Sequence, residues 1–290
     1  VAAIATGQLD RVPLGAAAVL SLTPETPAGG SYTLASPSSV VVRDGAGVEV
    51  HAGSATVAAD EQSLSATVPA SALDALDSYT VEWTATVSGA QSGFTSALEV
   101  CGGYFTTIAE LRALRGEFAS TPGATLLRAR ALAETAFEKQ CKVAFVPRAA
   151  RESLIGSGRD VLVLGHVALR ELYEVKIDGV ALSAGDLAAL TPEEPGLVTR
   201  PGGVIWPQQA SIDVYYAHGY DRPEAPVVDA VRRLAREYVV PDANLPPRAV
   251  LQVTEYGNFR LGALDEENPF GIPDVDAVYR AYRRVLPGVG

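Results

Sequence analysis

The chain has 290 residues, 48% apolar and 20% charged, which is normal for a folded globular protein, and its length favours two domains. A net charge of −11 disfavours tight wrapping of nucleic acid, which needs clustered Lys and Arg. No run reaches the ~18 apolar residues of a membrane span, so no membrane partner is expected. Two cysteines, Cys101 and Cys141, are too few for a disulfide framework or a four-ligand zinc site and are expected as reduced, partly buried thiols.

The charge is unevenly shared. Residues 1–103 set Arg11 and Arg43 against ten acidic side chains, which leaves −8 there and −3 in the rest. The opening VAAIATGQLDR lacks the basic and apolar regions of a signal peptide, so the expectation is a cytosolic or cytosol-assembled protein whose initiator methionine has been removed.

Over residues ~11–100 the sequence offers short alternating runs: AVLSL at 18–22, SVVVR at 39–43, SLSATV at 63–68 and TVEWTATV at 80–87. In the last, Tyr79, Val81, Trp83, Ala85 and Val87 fall on one face, as in a strand buried on one side. About seven such strands with turn signals between them, and a central Trp, predict an immunoglobulin-like sandwich without the antibody cysteine pair. At Cys101-Gly102-Gly103 the period changes from 2 to 3.6, which places a domain boundary after Gly103.

Thr107 and Glu110 have the spacing of a capping box and predict a short helix over ~106–114. Thr121-Pro122 opens a second helix to about Cys141, with Leu126, Ala129, Ala133, Ala136 and Phe137 along one stripe. Strand-like runs follow at 160–165, 171–179, 203–206 and 211–219, with Asp178-Gly179 as a hairpin turn. SAGDLAAL at 183–190 is at most a short helix, and Val227, Val231, Leu234 and Tyr238 mark a longer one. A last helix begins near Pro273, with Asp274 and Asp276 in its first turn and Arg280, Arg283 and Arg284 in its last, complementing the helix dipole. The expected fold class is therefore multidomain: residues 1–103 form an N-terminal arm and an all-β immunoglobulin-like sandwich, and residues 104–290 form an α+β, mainly helical domain with a small antiparallel sheet.

The search for chemistry centres on VYYAHGYDRPEAPV at 214–227, where His218 and Asp221 stand three residues apart beside Tyr215, Tyr216 and Tyr220. A base and its orienter have this look, but no Ser or Cys sits in a nucleophile elbow. The favoured reading is a strand end, a releasing glycine and a proline-set entry into a helix. His51, His166 and His218 stand apart, in none of the HExxH, HxH or CxxC spacings, so no metal site is expected. Glu193-Glu194 and Asp265-Glu266-Glu267 read as solvated loop charges, and no glycine-rich segment has phosphate-cradling spacing. No catalytic residue and no cofactor is expected.

One series of segments resembles a known family. FTTIAELRALRG, a long helix, LRELYEVKIDG, IDVYYAHGYDRPEAPVVDAVRRLA, PPRAV and NPFGIPDVDAVYRAYRR follow one another over roughly 104–286, in the order found in the head-tail adaptor (connector) proteins of long-tailed phages. The resemblance implies a structural virion protein, assembled in the host cytoplasm. It would form a homo-oligomeric ring, commonly a dodecamer, beneath the portal, with a stopper or tail protein below and DNA passing through the lumen without sequence-specific binding. An N-terminal sandwich is not part of the minimal adaptor and leaves its own role open. The last helix is the candidate portal-docking interface, through Asp274, Asp276, Tyr279, Tyr282, Arg280, Arg283 and Arg284. Its apolar stripe of Val275, Val278, Tyr279 and Tyr282 can face its own domain or a partner.

Two alternatives stay open. One is a binding module in which the acidic sandwich recognises a protein or glycan. The other is a hydrolase using His218 and Asp221, which requires Tyr215, His218 and Asp221 to converge in one pocket.

Overall fold

The computed structural model describes residues 9–24, 32–114, 118–239, 251–254, 257–260 and 266–284. Strands β1 (Leu9–Pro13), β2 (Ala18–Leu22), β3 (Leu34–Arg43), β4 (Glu49–Ser54), β5 (Thr56–Val57), β6 (Leu64–Val68), β7 (Asp77–Val87) and β8 (Ala90–Cys101) build two sheets, ordered β1-β8-β7-β3-β4 and β2-β6-β5. Both sheets contribute to one core, with Leu20 and Val68 from the smaller and Val42, Trp83 and Leu98 from the larger. The alternation along β7 puts Tyr79, Val81, Trp83 and Ala85 inside, as a half-buried strand requires. Trp83 satisfies its ring N–H by donating to Ser96 Oγ at 3.0 Å.

Next come α1 (Ile108–Ala113), α2 (Gly123–Cys141), β9 (Arg148–Ile155), β10 (Val161–Val163), β11 (Leu169–Ile177) and β12 (Val180–Ala181). The described chain continues with α3 (Ala184–Ala189), β13 (Thr191–Glu193), β14 (Leu197–Thr199), β15 (Ser211–His218), α4 (Ala225–Val239), β16 (Leu251–Thr254), β17 (Gly257–Arg260) and α5 (Pro273–Tyr282). A four-stranded antiparallel sheet has the order β12-β11-β15-β9, and a three-stranded one the order β10-β14-β13. They enclose a second core built on Leu164, Val175, Trp206, Ile212 and Tyr216. β16 and β17 form a separate hairpin.

The expected mainly helical adaptor domain is overturned: among the described residues strand outweighs helix, 38% against 26%. Besides the β16-β17 hairpin, the described residues form four sheets, two of them after residue 104. The physical reason lies largely in β9, whose sequence RAARESLI carries too few apolar residues to show a period of 2. It pairs along its whole length with β15, Ser211 against Ile155 through His218 against Arg148, so the sheet is wider than its apolar runs suggest. β10, β13 and β14 are three residues each, too short to carry a pattern.

Local rules hold better. Thr107 caps α1, accepting from the Glu110 N–H at 3.1 Å, while the Glu110 carboxylate accepts from the Thr107 N–H at 2.7 Å. These bonds hold the Glu110 carboxyl down at about 2. Asp178 turns the β11-β12 hairpin at φ 49°. α2 ends at Cys141 with Lys142 in the left-handed region, and α5 starts at Pro273. Arg283 is extended and lies just beyond the last turn of α5, which leaves Arg280 as its C-terminal cation. Cys101 and Cys141 are both free thiols and buried. The PPRAV segment and Asp265 lie outside the described residues.

The structure resolves into two compact units, each discontinuous in sequence. Unit 1 comprises residues 1–103 and 147–218, and unit 2 comprises residues 104–146 and 219–290. Unit 1 therefore contains the sandwich and the β9–β15 sheets, whereas unit 2 contains α1, α2, α4 and α5.

Candidate functional site

β15 carries the His218 segment. Alternation along a strand sends residues 216 and 218 to one face and residue 215 to the other. Tyr215 accordingly donates its hydroxyl to the Leu76 carbonyl at 2.7 Å, with the Arg151 guanidinium 3.6 Å over its ring. Arg151 in turn donates to Asp77 at 2.8 Å. Within unit 1 this links β9 and β15 to the sandwich, so Tyr215 is a structural anchor turned away from His218.

His218 instead meets residues that sequence spacing does not single out. Its ring stacks on His166 with centroids 3.9 Å apart. His166 Nδ1 lies 3.0 Å from Glu152 Oε1 and 2.7 Å from the Tyr216 hydroxyl, which also donates to Glu152. Burial, then the neighbouring His166 and Arg148, press the His218 imidazole down to about 3, so it is neutral at pH 7. Burial raises the Glu152 carboxyl, but bonds from His166, Tyr216 and the Gly165 N–H outweigh it and hold the group at about 2. His218 Nδ1 is buried without a hydrogen-bond partner among the described residues. Asp221 belongs to unit 2.

The glycine after His218 is dictated by space as well as by φ, which is +96°. A Cβ at Gly219 would come within 2.4 Å of the Val146 carbonyl oxygen, so only glycine permits the chain to turn there. The strand-glycine-turn-helix reading of this stretch is what the structure contains.

In unit 2 the α5 residues have mostly internal partners. Asp276 is buried and accepts from the Phe270 N–H at 3.0 Å, and burial raises its carboxyl. Tyr279 is buried and donates to the Glu266 carbonyl at 3.1 Å, whereas the half-buried Tyr282 donates to Glu224 at 2.5 Å and packs edge-on against Phe145. Asp274 pairs with Arg233, Arg280 donates to Asn268 at 2.7 Å, and Arg283 reaches Glu267 at 3.9 Å. The Arg284 N–H donates to the Cys141 carbonyl at 2.9 Å. Val275 is fully buried and Val278 half-buried, so the apolar stripe of α5 faces its own unit. Asp274, Ala277, Arg280 and Ala281 form its exposed side.

Unit 2 also holds a groove of about 570 Å³ between α4 and the residues around Leu114, Phe118 and Ile272. Its arginines are matched by carboxylates: Arg232 with Glu110 at 3.1 Å, Arg233 with Asp274, and Arg236 with Glu237 at 3.4 Å. It thus has no surplus charge to offer an anion. Among the described residues no three His, Cys, Asp or Glu side chains gather as metal ligands would.

No family model matches the chain, and no curated protein matches it. Among solved structures, the neck of an empty gene transfer agent particle, computed with C6 symmetry, aligns at 16% identity and a TM-score of 0.46, over 64% of this chain and 93% of that one. The virion of a native gene transfer agent particle aligns with the same values. CopC from Methylosinus trichosporium OB3b aligns at 19% identity and a TM-score of 0.25, over 34% of this chain and 94% of its own. All three lie below 25% identity and a TM-score of 0.5, and they carry no argument about what this chain does.

Proposed function

We propose that the chain is a structural protein of a phage-type head–tail junction, a ring former beneath the portal rather than an enzyme. The observation that carries the reading is the ordered series of adaptor-like segments over 104–286. Its helical segments fall on α1, α2, α4 and α5, and its LRELYEVKIDG and IDVYYAH segments on the adjacent strands β11 and β15. The series thus runs through both units: its strands lie in unit 1 and its helices in unit 2. The hydrolase alternative loses its support, because Tyr215 and His218 occupy opposite faces of β15.

Within this reading the exposed side of α5, with Asp274 and Arg280, is the portal-docking surface, and the immunoglobulin-like sandwich braces or ornaments the ring. The buried Val275 and Tyr279 belong to the unit's own core, so a surface change tests docking more cleanly than deletion of the helix. Electron micrographs of purified protein, alone and mixed with portal rings, are expected to show rings that stack on the portal. An Arg280→Glu variant is expected to form rings that no longer stack. A wild-type protein that neither closes into rings nor binds portal would sink the proposal.

A further inference from the structure

α2 buries charge beside its apolar stripe and leaves two leucines exposed. A surface helix ordinarily buries its apolar stripe and exposes its charges. This 19-residue helix buries Arg130, Glu134 and Glu138 on the face that meets its own unit, while Leu127 and Leu132 are 48% and 45% exposed. Residues 124, 128, 132, 135 and 139 lie along one outward stripe by helical spacing. The exposed charges of α2 and its C-cap are all cationic: Arg128, Lys139 and Lys142. Among the described residues none of the three has an ion-pair partner.

Unit 1 carries a surface of opposite character. Between Asp178 and Glu194 the hairpin, α3 and β13 expose Val180, which is 72% accessible, together with Ala184 and Ala188. This span holds no Lys or Arg. Its four carboxylates, Asp178, Asp186, Glu193 and Glu194, are all exposed, and none is in an ion pair among the described residues.

We infer that the α2 face of one copy docks on the α3 surface of the next copy, head to tail. Each surface exposes apolar side chains beside charges that have no ion-pair partner among the described residues, and the signs are opposite. Pairing α2 with α2 would set cations against cations, and pairing α3 with α3 would set acids against acids, so only the crossed pairing is electrostatically complementary. Two different surfaces on one chain make a heterologous contact, which propagates from copy to copy and closes when the rotation fits. The inference rests on the ring reading above and supplies the contact that reading lacks.

Two charge-reversed proteins test it: R128E/K139E/K142E on α2 and its C-cap, and D186K/E193K/E194K across the α3 surface. Far-UV circular dichroism first establishes that each folds like the wild type, and sedimentation then reads assembly. Wild-type chain is expected to assemble, and each variant alone is expected to sediment as single chains. Mixed in equal amounts the two variants are expected to regain the wild-type mass, because each then meets an opposite charge on both sides. Retention of the wild-type mass by either variant alone overturns the interface, as does a mixture that stays dissociated. Wild-type chains that remain single at every concentration overturn the ring reading itself, a result distinguishable from the other two.

Discussion

The two units bury charge in different ways. In unit 1 it is paired side chain to side chain: Glu99 of β8 accepts from Arg11 at 2.8 Å and from Arg148 of β9, joining the sandwich to the neighbouring sheet. These two arginines, after the opposing effect of burial, hold the Glu99 carboxyl below its usual range. In unit 2 the buried carboxylates of α2 accept from backbone, Glu134 from the Phe105 N–H at 2.9 Å and Glu138 from the Phe145 N–H at 3.0 Å. Arg130 donates to the Thr106 carbonyl and lies 3.3 Å over the Tyr104 ring. Residues 104–106 and 143–145 are the irregular ends by which the chain enters and leaves α1 and α2. Unit 1 therefore uses buried charge to join two layers, and unit 2 uses it to satisfy backbone that no helix or strand can satisfy.

The contrast breaks most readily at Glu99. Glu99→Ala removes the carboxylate shared by two buried guanidinium groups and is expected to cost about 3–5 kcal/mol in chemical denaturation. A loss below ~1 kcal/mol would mean that the Arg11–Glu99–Arg148 network does not join the layers.

Acid sharpens the comparison, because both tryptophans, Trp83 and Trp206, lie in unit 1 and their fluorescence reports that unit alone. His218 titrates at about 3 when folded, below its ordinary value near 6.5. The unfolded chain therefore takes up the proton first, and stability falls as pH drops below about 6.5 and continues to fall towards 3. Between about pH 6.5 and 4.5 this loss is on the order of 2–3 kcal/mol. His218→Phe keeps a ring against His166 and removes the titrating nitrogens, so its stability is expected to stay flat over that window. Equal slopes for the two proteins would remove His218 as the cause. Below about 4.5 the Glu99 and Glu152 carboxylates, both depressed by their partners, add a further loss as they protonate.

The smallest effect belongs to unit 2. Glu134→Ala strands the Phe105 N–H and is expected to cost about 1–3 kcal/mol. Hydrogen exchange at the Phe105 amide should rise in this variant and return towards wild type in Glu134→Gln, which keeps an acceptor oxygen. An amide equally protected in all three proteins would show that another group holds that backbone.

What could be read from the residues in advance follows the range of the interaction. The Thr107–Glu110 box, the Asp178 turn, the β7 alternation and the start of α5 are set by neighbours within a few positions, and each stands where local rules put it. β9 was illegible because its pairing with β15 is a tertiary fact, and its Arg148 and Arg151 look like surface charges until Glu99 and Asp77 meet them. The His218 surroundings were hidden for the same reason: Glu152 and His166 come from other elements, and only the closed sheet brings them under one ring. α2 shows a subtler limit. Its apolar stripe of Leu126, Ala129, Ala133 and Phe137 is buried as its spacing predicts, and no pattern announced that two glutamates and an arginine would be buried beside it.

The discontinuous units also bear on how the chain is made. α2 packs on α4, yet during synthesis everything from Lys142 to Glu224 must leave the ribosome before α4 emerges. At roughly 5–20 residues per second that is a wait of several seconds, during which the stripe of Leu126, Ala133 and Phe137 has no α4 beside it. The sequence of unit 1 is complete at His218, whereas α2 stays without α4 until the second segment of its own unit emerges.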